Sequence, residues 1–266
     1  MTAAPSRAAR TPRAVPVGAT RIRVDGVGKR YRDEWVLAGI DLELRTGEIV
    51  GIVGPGGHGK SVLLKHLPRL IAPDKGRVLV DGKDLGTLSA FDLARTRDTF
   101  GYLFQNYALF DFMTVGENVA FPLRQISGKA GGLAAQEIEA RALARLTDVG
   151  LGHAYAQYPR ELSGGMKKRV GLARATIADP EIALYDDPSA GLDPVTSSKI
   201  FALIDQMHAR VPGATTVVVS HDIDRMRAIC DRWIMIQHGK VVFDGPDEAL
   251  ATAPEAVQSF FGQGVA

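Results

Sequence analysis

Residues 54–61 have the types and spacing of a phosphate-binding loop. They fit the pattern G-x-x-x-x-G-K-[ST], which ends in Lys60 and Ser61. A buried strand is predicted before the loop at 48–53 and an amphipathic helix after it at 60–67, the context that the pattern requires. The glycines let backbone N–H groups converge on phosphate oxygens, while Lys60 reaches the β- and γ-phosphates and the Ser61 hydroxyl binds Mg²⁺. The alternative, a glycine-rich turn with a lysine after it, does not explain the strand and the helix.

Three predicted strands in the rest of the chain end in polar side chains. Gln105 follows the first, Asp186 and Asp187 end the second, and His221 follows the third. Ligands bind beyond the carboxyl ends of strands in parallel α/β sheets, so these residues are candidates for one site. Asp186 fits the Mg²⁺-linked aspartate of phosphate-loop enzymes, and Asp187 stands where a water-polarising base is expected. Gln105 orients water or completes the Mg²⁺ shell, unless it is simply a surface glutamine.

A second helix start also suits a phosphate. Ser163 is a good N-cap, and Gly164 and Gly165 leave backbone N–H groups exposed. The basic run 167–169 lies in the first turn of this helix, where the helix dipole disfavours cations. An anion bound nearby would resolve that conflict, and a solvated basic face is the alternative.

Bulk properties limit the functions open to the chain. Its 266 residues carry a net charge of only +2, which gives no support to a nucleic-acid partner. The single cysteine, Cys230, excludes an internal disulfide and suits a reducing compartment. No run approaches the roughly 18 apolar residues of a spanning helix, so we expect any membrane role to come through a partner. Residues 1–20 predict a disordered basic tail, either solvated or touching anionic lipid headgroups.

The elements that position these residues predict an α/β fold. Tyr31 is placed on the turn between two antiparallel strands, where its ring could stack on a base. Pro68 predicts that the loop helix ends or kinks near Leu67, because a proline inside a helix costs about 3 kcal/mol. The aromatic segment 106–124 either packs into a small helical subdomain or forms a docking groove. Further strands are predicted at 77–82, 99–104, 182–186, 215–220 and, as a final hairpin, at 233–237 and 240–243; helices at 133–150, 163–178, 196–210 and from about 246; and a flexible break at 128–132.

These motifs, in this order, make residues 21–262 resemble an ABC transporter ATP-binding subunit. The family fold is a P-loop NTPase (RecA-like) core with an antiparallel β subdomain and an α-helical signature subdomain, here at about 106–179, and residues 263–266 are left as a tail. The resemblance implies two copies in a head-to-tail dimer that buries two ATP molecules, an integral membrane permease, and a peripheral position at the cytoplasmic face of the inner membrane.

The resemblance also implies a role for each motif residue. Residues that bind ATP are Tyr31, stacked on adenine, with Gly54, Gly56, Gly57, His58, Gly59, Lys60, Ser61, Val62, Ser163, Gly164 and Gly165. Those that hold Mg²⁺ are Ser61, Gln105 and Asp186, and those that act in catalysis are Asp187, His221 and Gln105.

The chain departs from the family pattern at three positions. The family normally has glutamate where this chain has Asp187, which is one methylene shorter. Because general-base catalysis depends on hydrogen-bond reach, we predict slow or conditional hydrolysis with ATP binding and dimerisation retained. Gly56 and His58 stand where serines are common; His58 faces either solvent, which we favour, or the γ-phosphate.

A narrower resemblance is to the Mce/Mla-type lipid-transport ATPases. It rests on the stretches 59–67, 108–124 and 162–166 and implies a phospholipid-type substrate and an Mce-domain lipid-binding partner. One alternative is a regulatory or low-turnover ATP-binding subunit, and another is an importer ATPase for amino acids or metals. ABC proteins of DNA repair or translation usually carry two cassettes or coiled-coil insertions, and this chain shows neither pattern.

Overall fold

The structure is a computed structural model that describes residues 18–127 and 132–262. Most of the predicted basic tail, the predicted break apart from Gly132, and the short C-terminal tail lie outside the described residues. Within the described ranges, none of the helices combines the length and the apolar character needed to cross a membrane.

Strands and helices alternate along most of the described chain. The strands are β1 (Thr20–Tyr31), β2 (Glu34–Arg45), β3 (Ile49–Val53), β4 (Lys75–Val80), β5 (Lys83–Asp84), β6 (Phe100–Leu103), β7 (Ile182–Asp186), β8 (Thr215–Val219), β9 (Arg232–Gln237) and β10 (Lys240–Gly245). The α-helices are α1 (Lys60–His66), α2 (Ala90–Arg97), α3 (Val115–Ser127), α4 (Ala135–Asp148), α5 (Gly164–Thr176), α6 (Pro194–Arg210), α7 (Ile223–Met226) and α8 (Glu255–Gly262). Short 3-10 helices lie at Gly152–Ala154, Pro159–Glu161 and Asp247–Thr252.

A six-stranded sheet carries most of the candidate site. Its strand order is β10-β9-β3-β8-β7-β6, and the strands from β9 to β6 run parallel. Every residue of β3, β7 and β8 is buried, as expected for parallel strands covered on both faces. The predicted final hairpin is confirmed, because β10 pairs antiparallel with β9. The carboxyl ends of β3, β8, β7 and β6 therefore meet at one edge of the sheet.

A second, antiparallel sheet has the order β2-β1-β4-β5. Its β1–β2 hairpin is long and contains several register shifts. Tyr31 is the last residue of β1 and pairs with Glu34, so the prediction that it lies on the turn was wrong by about one residue. The bulges that shift the register have no clear signal in the sequence.

Three hydrophobic cores hold the elements together. The first lies between the two sheets and α1, and the second packs the other face of the parallel sheet against α6 and α8. The third lies within α3, α4 and α5. Helix α5 belongs to two of these cores, since Leu172 and Ala175 face the second and Val170 and Ala173 face the third.

Two features of the fold differ from the sequence prediction. Helix α2 was not predicted, because none of its residues is buried and it therefore has no hydrophobic period. The Ser89 hydroxyl starts it by accepting from the N–H of Asp92 at 3.1 Å. The aromatic segment is a loop only as far as Thr114, after which α3 begins and contains Pro122. The helix end predicted at Pro68 is confirmed, since α1 ends at His66.

Candidate nucleotide-binding site

Two glycines of the phosphate loop, Gly54 and Gly59, are required by packing as well as by ligand geometry. Gly54 follows β3 with φ +139°, and a Cβ there would lie 2.0 Å from the carbonyl oxygen of Ile236. Gly59 has φ +95°, and a Cβ there would lie 2.7 Å from the carbonyl oxygen of Val36. Any side chain at either position would push the loop away from β9 or β2. Packing against both sheets therefore holds the loop in place even before a phosphate binds.

Lys60 is the buried cation of the site. Its side chain is 6% exposed. The ammonium donates to the carbonyl oxygens of Gly54 and Pro55, each at 2.7 Å. Burial lowers the pKa of Lys60, and the nearby carboxylates of Asp187 and Asp186 partly oppose that shift. The loop therefore holds an ammonium whose acceptors can be exchanged for phosphate oxygens.

Ser61 and Asp186 form an oxygen pair at the start of α1. The Ser61 hydroxyl donates to Oδ1 of Asp186 at 2.7 Å, and Asp186 is only 2% exposed. Burial raises the pKa of Asp186, whereas the bond from Ser61 lowers it. A buried carboxylate beside a hydroxyl matches the hard oxygen ligands that Mg²⁺ prefers, so these residues fit that ion.

Asp187 is held by its backbone and its side chain. It has φ +50°, a left-handed conformation that Asp and Asn adopt more readily than most residues. Its N–H donates to the carbonyl of Val219 at 2.8 Å, and its Oδ1 accepts from the Ser220 hydroxyl at 3.3 Å. Ser220 precedes His221, so the two strand ends that carry Asp187 and His221 are hydrogen-bonded together.

Ser220 was missed by the sequence analysis, although it is 2% exposed and contacts Asp187. A polar residue at the end of a strand of threonine and valine was the available signal.

The other candidates are more exposed to solvent. Gln105 and His221 are exposed at the ends of β6 and β8, and Tyr31 is 45% exposed at the end of β1. The structure therefore groups Lys60, Ser61, Asp186 and Asp187 and leaves these three at the margin.

His58, expected to face solvent, is only partly exposed to it. It is half-buried, and its Nδ1 accepts from the backbone N–H of His238 at 3.1 Å. The two imidazole rings lie 4.9 Å apart between centroids, so His58 ties the loop to the β9–β10 turn. Gly56 and Gly57 are exposed, and nothing lies within 4 Å of a Cβ placed on either. Val62 is half-buried against the first core.

The second predicted phosphate site is an exposed helix start. The Ser163 hydroxyl caps α5 by accepting from the N–H of Met166 at 3.3 Å, and Gly164 is exposed beside it. The basic residues 167–169 in the first turn of α5 fit neither of the alternatives from the sequence, which were an anion bound nearby and a solvated basic face. Lys168 is 2% exposed and donates to the carbonyl of Ala190, and Arg169 donates to the carbonyl of Val149 at 2.9 Å.

Comparison with known proteins shows which family the chain is similar to. A family model described as ABC transporter matches residues 37–190. The probable ribonucleotide transport ATP-binding protein mkl of Mycobacterium leprae is 39% identical over 250 residues, which cover 94% of this chain and 70% of that protein. The methionine import ATP-binding protein MetN of Carboxydothermus hydrogenoformans is 41% identical over 206 residues, covering 77% of this chain and 59% of that protein.

Solved structures give the same picture. The dimeric post-hydrolysis state of the ATP-binding cassette MJ0796 bound to ADP and Pi superposes with a TM-score of 0.78 at 33% identity, covering 85% of this chain and 98% of that one. The structure of cbiO1 from Clostridium perfringens, part of the ABC transporter complex cbiONQ, has a TM-score of 0.75 at 28% identity, covering 90% of this chain and 94% of that one.

Proposed function

Since this chain belongs to the ABC transporter family, we propose that it hydrolyses ATP to drive lipid transport through a partner permease. The family itself gives the coarser statement: the chain is the ATPase subunit of a membrane transporter and binds ATP with Mg²⁺. The observation that carries the assignment of this site is the 2.7 Å bond between Ser61 and Asp186 beside the buried Lys60.

One half of the proposed site belongs to a single chain. Backbone N–H groups of the loop and Lys60 bind the β- and γ-phosphates, and Tyr31 stacks on adenine. Asp187 accepts the proton of the attacking water, while His221 and Gln105 orient the γ-phosphate and that water. Ser61, Asp186 and Gln105 would hold Mg²⁺, which neutralises charge on the phosphates when bound.

The other half comes from a second chain. Ser163 and the N–H groups that follow it form the positive start of a helix on an exposed surface. This helix start does not need the phosphate loop of its own chain in order to bind a phosphate. A head-to-tail dimer would place this start over the γ-phosphate held by the partner. MJ0796, which superposes on this chain, is dimeric with ADP and Pi, which supports the same arrangement here.

We place the permease contact at a groove between the edge strand β6 and the helices α3 and α5. The groove has a volume of about 380 Å³, and its lining includes the aromatic side chains of Phe100, Phe104, Phe110 and Phe121. Arg174 shapes its wall by donating to the carbonyl oxygens of Tyr107 and Ala108 at 2.5 and 2.8 Å. Burial lowers the pKa of this arginine to about 10. Phe112, in the same segment, is 76% exposed and available to a partner.

Lipid is the substrate class that the sequence favours. The stretches 59–67, 108–124 and 162–166 are those that resemble Mce/Mla-type ATPases, and the middle one forms part of the groove. The assembly would then contain two copies of this chain, two permease subunits and an Mce-domain lipid-binding protein, at the cytoplasmic face of the inner membrane. The names of the relatives point instead to ribonucleotide or methionine, and these are the competing substrates.

Purification of the complex tests the substrate. We expect the chain to co-purify with a permease that retains phospholipid, detected by mass spectrometry of an organic extract. In nanodiscs, phospholipid supplied on the lipid-binding protein should stimulate ATP hydrolysis, whereas methionine and ribonucleotides should not. Stimulation by either small molecule, without bound lipid, would replace the lipid assignment with that of an importer.

Asp187→Glu tests whether the shorter carboxylate limits turnover. We expect steady-state hydrolysis in the assembled complex to rise by about tenfold, because misplacement near 1 Å costs up to about 10²-fold. Asp187→Asn is the matched control, since it suits the φ of +50° but lacks a base, and it should keep ATP binding while losing hydrolysis. A fall in the rate of Asp187→Glu would show that the site is adapted to aspartate.

A further inference from the structure

Lys168 is a buried cation that the proposed function does not use. It lies on α5, five residues after Ser163, and is 2% exposed. Its ammonium donates to the carbonyl oxygen of Ala190, in the loop after β7, and lies 5.8 Å from the centroid of the Tyr107 ring. One side chain of α5 thus contacts both the loop that follows Asp187 and the segment that leads to the groove.

Burying this charge has a cost that a purely structural residue would not incur. Burial lowers the pKa of Lys168, and the Asp187 carboxylate opposes that shift. A methionine would fill a similar volume without desolvating an ammonium, and buried ionic groups are often no more stabilising than such a replacement. The buried ammonium of Lys168 is therefore better explained by the segments that it holds in position than by a contribution to the free energy of unfolding.

The loop that accepts the hydrogen bond from Lys168 is short and contains backbone hydrogen bonds of its own. The N–H of Ala190 donates to the carbonyl of Asp187 at 3.3 Å, and the N–H of Leu192 donates to that of Ser189 at 3.1 Å. Asp187 is fixed in turn to Val219 and Ser220 at the end of β8. A shift of the Ala190 carbonyl therefore reaches the carboxylate of Asp187 through three residues of a hydrogen-bonded turn.

The contact with Tyr107 is equally close. Tyr107 has φ +60°, and its carbonyl is held by Arg174 of the same helix. Gly171 lies beside this contact and lets α5 approach β6 closely, because a Cβ there would lie only 2.7 Å from the side chain of Leu103, although its 3.5 Å separation from the Cβ of Tyr107 would be an ordinary contact. Lys168, Gly171 and Arg174 lie on one face of α5, so the helix cannot turn without moving both segments.

We propose that Lys168 is a positioning residue that couples the orientation of α5 to the placement of Asp187. In the head-to-tail dimer, Ser163 of a chain acts on the nucleotide held by its partner, whereas Asp187 acts on the nucleotide of its own chain. Lys168 therefore links the two ATP sites, so that closure over one sets the base in the other. This inference rests on the dimer of the proposed function.

The test is the ATP dependence of hydrolysis by the full chain in wild-type, Lys168→Met and Lys168→Arg forms. We expect a Hill coefficient near 2 for the wild type, the limit for two coupled sites, and near 1 for Lys168→Met. The maximal rate of that variant should fall about tenfold through misplacement of Asp187. ATP affinity measured by equilibrium binding should not change. Lys168→Arg, which keeps a charged donor, should retain part of the cooperativity.

Controls separate this inference from its premise. Lys199→Met removes an exposed lysine from α6 and should match the wild type. Absence of an ATP-driven dimer in the wild type would overturn the proposed function itself. A cooperative wild type with an equally cooperative Lys168→Met would overturn only the role of Lys168. Lys168→Gln is made in parallel in case the methionine variant does not fold, and failure of both to fold would reduce Lys168 to a structural residue and overturn the proposal.

Discussion

Replacement of Lys60 by alanine is expected to abolish ATP binding and to lower hydrolysis by about 10³-fold or more. Lys60 is the buried cation of the loop, and its ammonium is held by two loop carbonyls at 2.7 Å. Its removal takes away the charge that opposes the β- and γ-phosphates. Equilibrium binding of a fluorescent ATP analogue and steady-state phosphate release measure the two effects.

Two further variants make the result specific. Lys83→Ala removes an exposed lysine from β5 and should bind ATP as the wild type does. Lys60→Arg keeps the charge but changes the donor geometry, and it should bind ATP weakly without restoring hydrolysis. Normal ATP affinity in a folded Lys60→Ala protein, checked by circular dichroism, would show that the phosphates lie elsewhere.

Ser163→Arg is expected to abolish ATP-driven dimerisation while leaving ATP binding by the monomer intact. Ser163 caps α5 at an exposed position, and an arginine there would lose the cap and fill the space that a partner's γ-phosphate requires. Light scattering with and without ATP, in the Asp187→Asn background that prevents turnover, measures the dimer directly.

The matched control for this variant is Ser259→Arg, which adds the same side chain to an exposed position of α8. It should dimerise with ATP as the Asp187→Asn protein does. Loss of ATP binding by the Ser163→Arg monomer would place this serine in the site of its own chain, contrary to the composite site that we propose.

Residues with a local chemical pattern could be found from the sequence. The phosphate loop was recognisable because its strand, glycines, lysine and helix are consecutive, and β3 and α1 confirm that context. Asp186 was recognisable because a carboxylate ends a buried strand, and the parallel pairing of β7 with β8 confirms that placement. Short-range periodicity and composition suffice for features of this kind.

Features that depend on distant parts of the chain could not be found in this way. Lys168 and Arg169 look alike in sequence, but Lys168 is buried and Arg169 half-buried, and their hydrogen-bond partners Ala190 and Val149 lie in other segments. The half-buried position of His58 was not predicted, because its hydrogen-bond partner His238 lies 180 residues away in the sequence. Helix α2 was missed for the opposite reason, since none of its residues is fully buried and only Leu93 packs, partly buried, against the first core. Long-range packing decides all of these cases.

The division of α5 between two hydrophobic cores has a consequence for how the protein unfolds. Because Leu172 faces one core and Val170 the other, loosening this helix would expose apolar surface in both at once. We therefore expect the two cores to unfold as one cooperative unit, and the amide hydrogens in the buried part of α5, from Val170 onward, to exchange with solvent only in rare, global openings. The helix that carries the surface offered to a second chain is consequently anchored in the part of the molecule that we expect to unfold last as temperature rises.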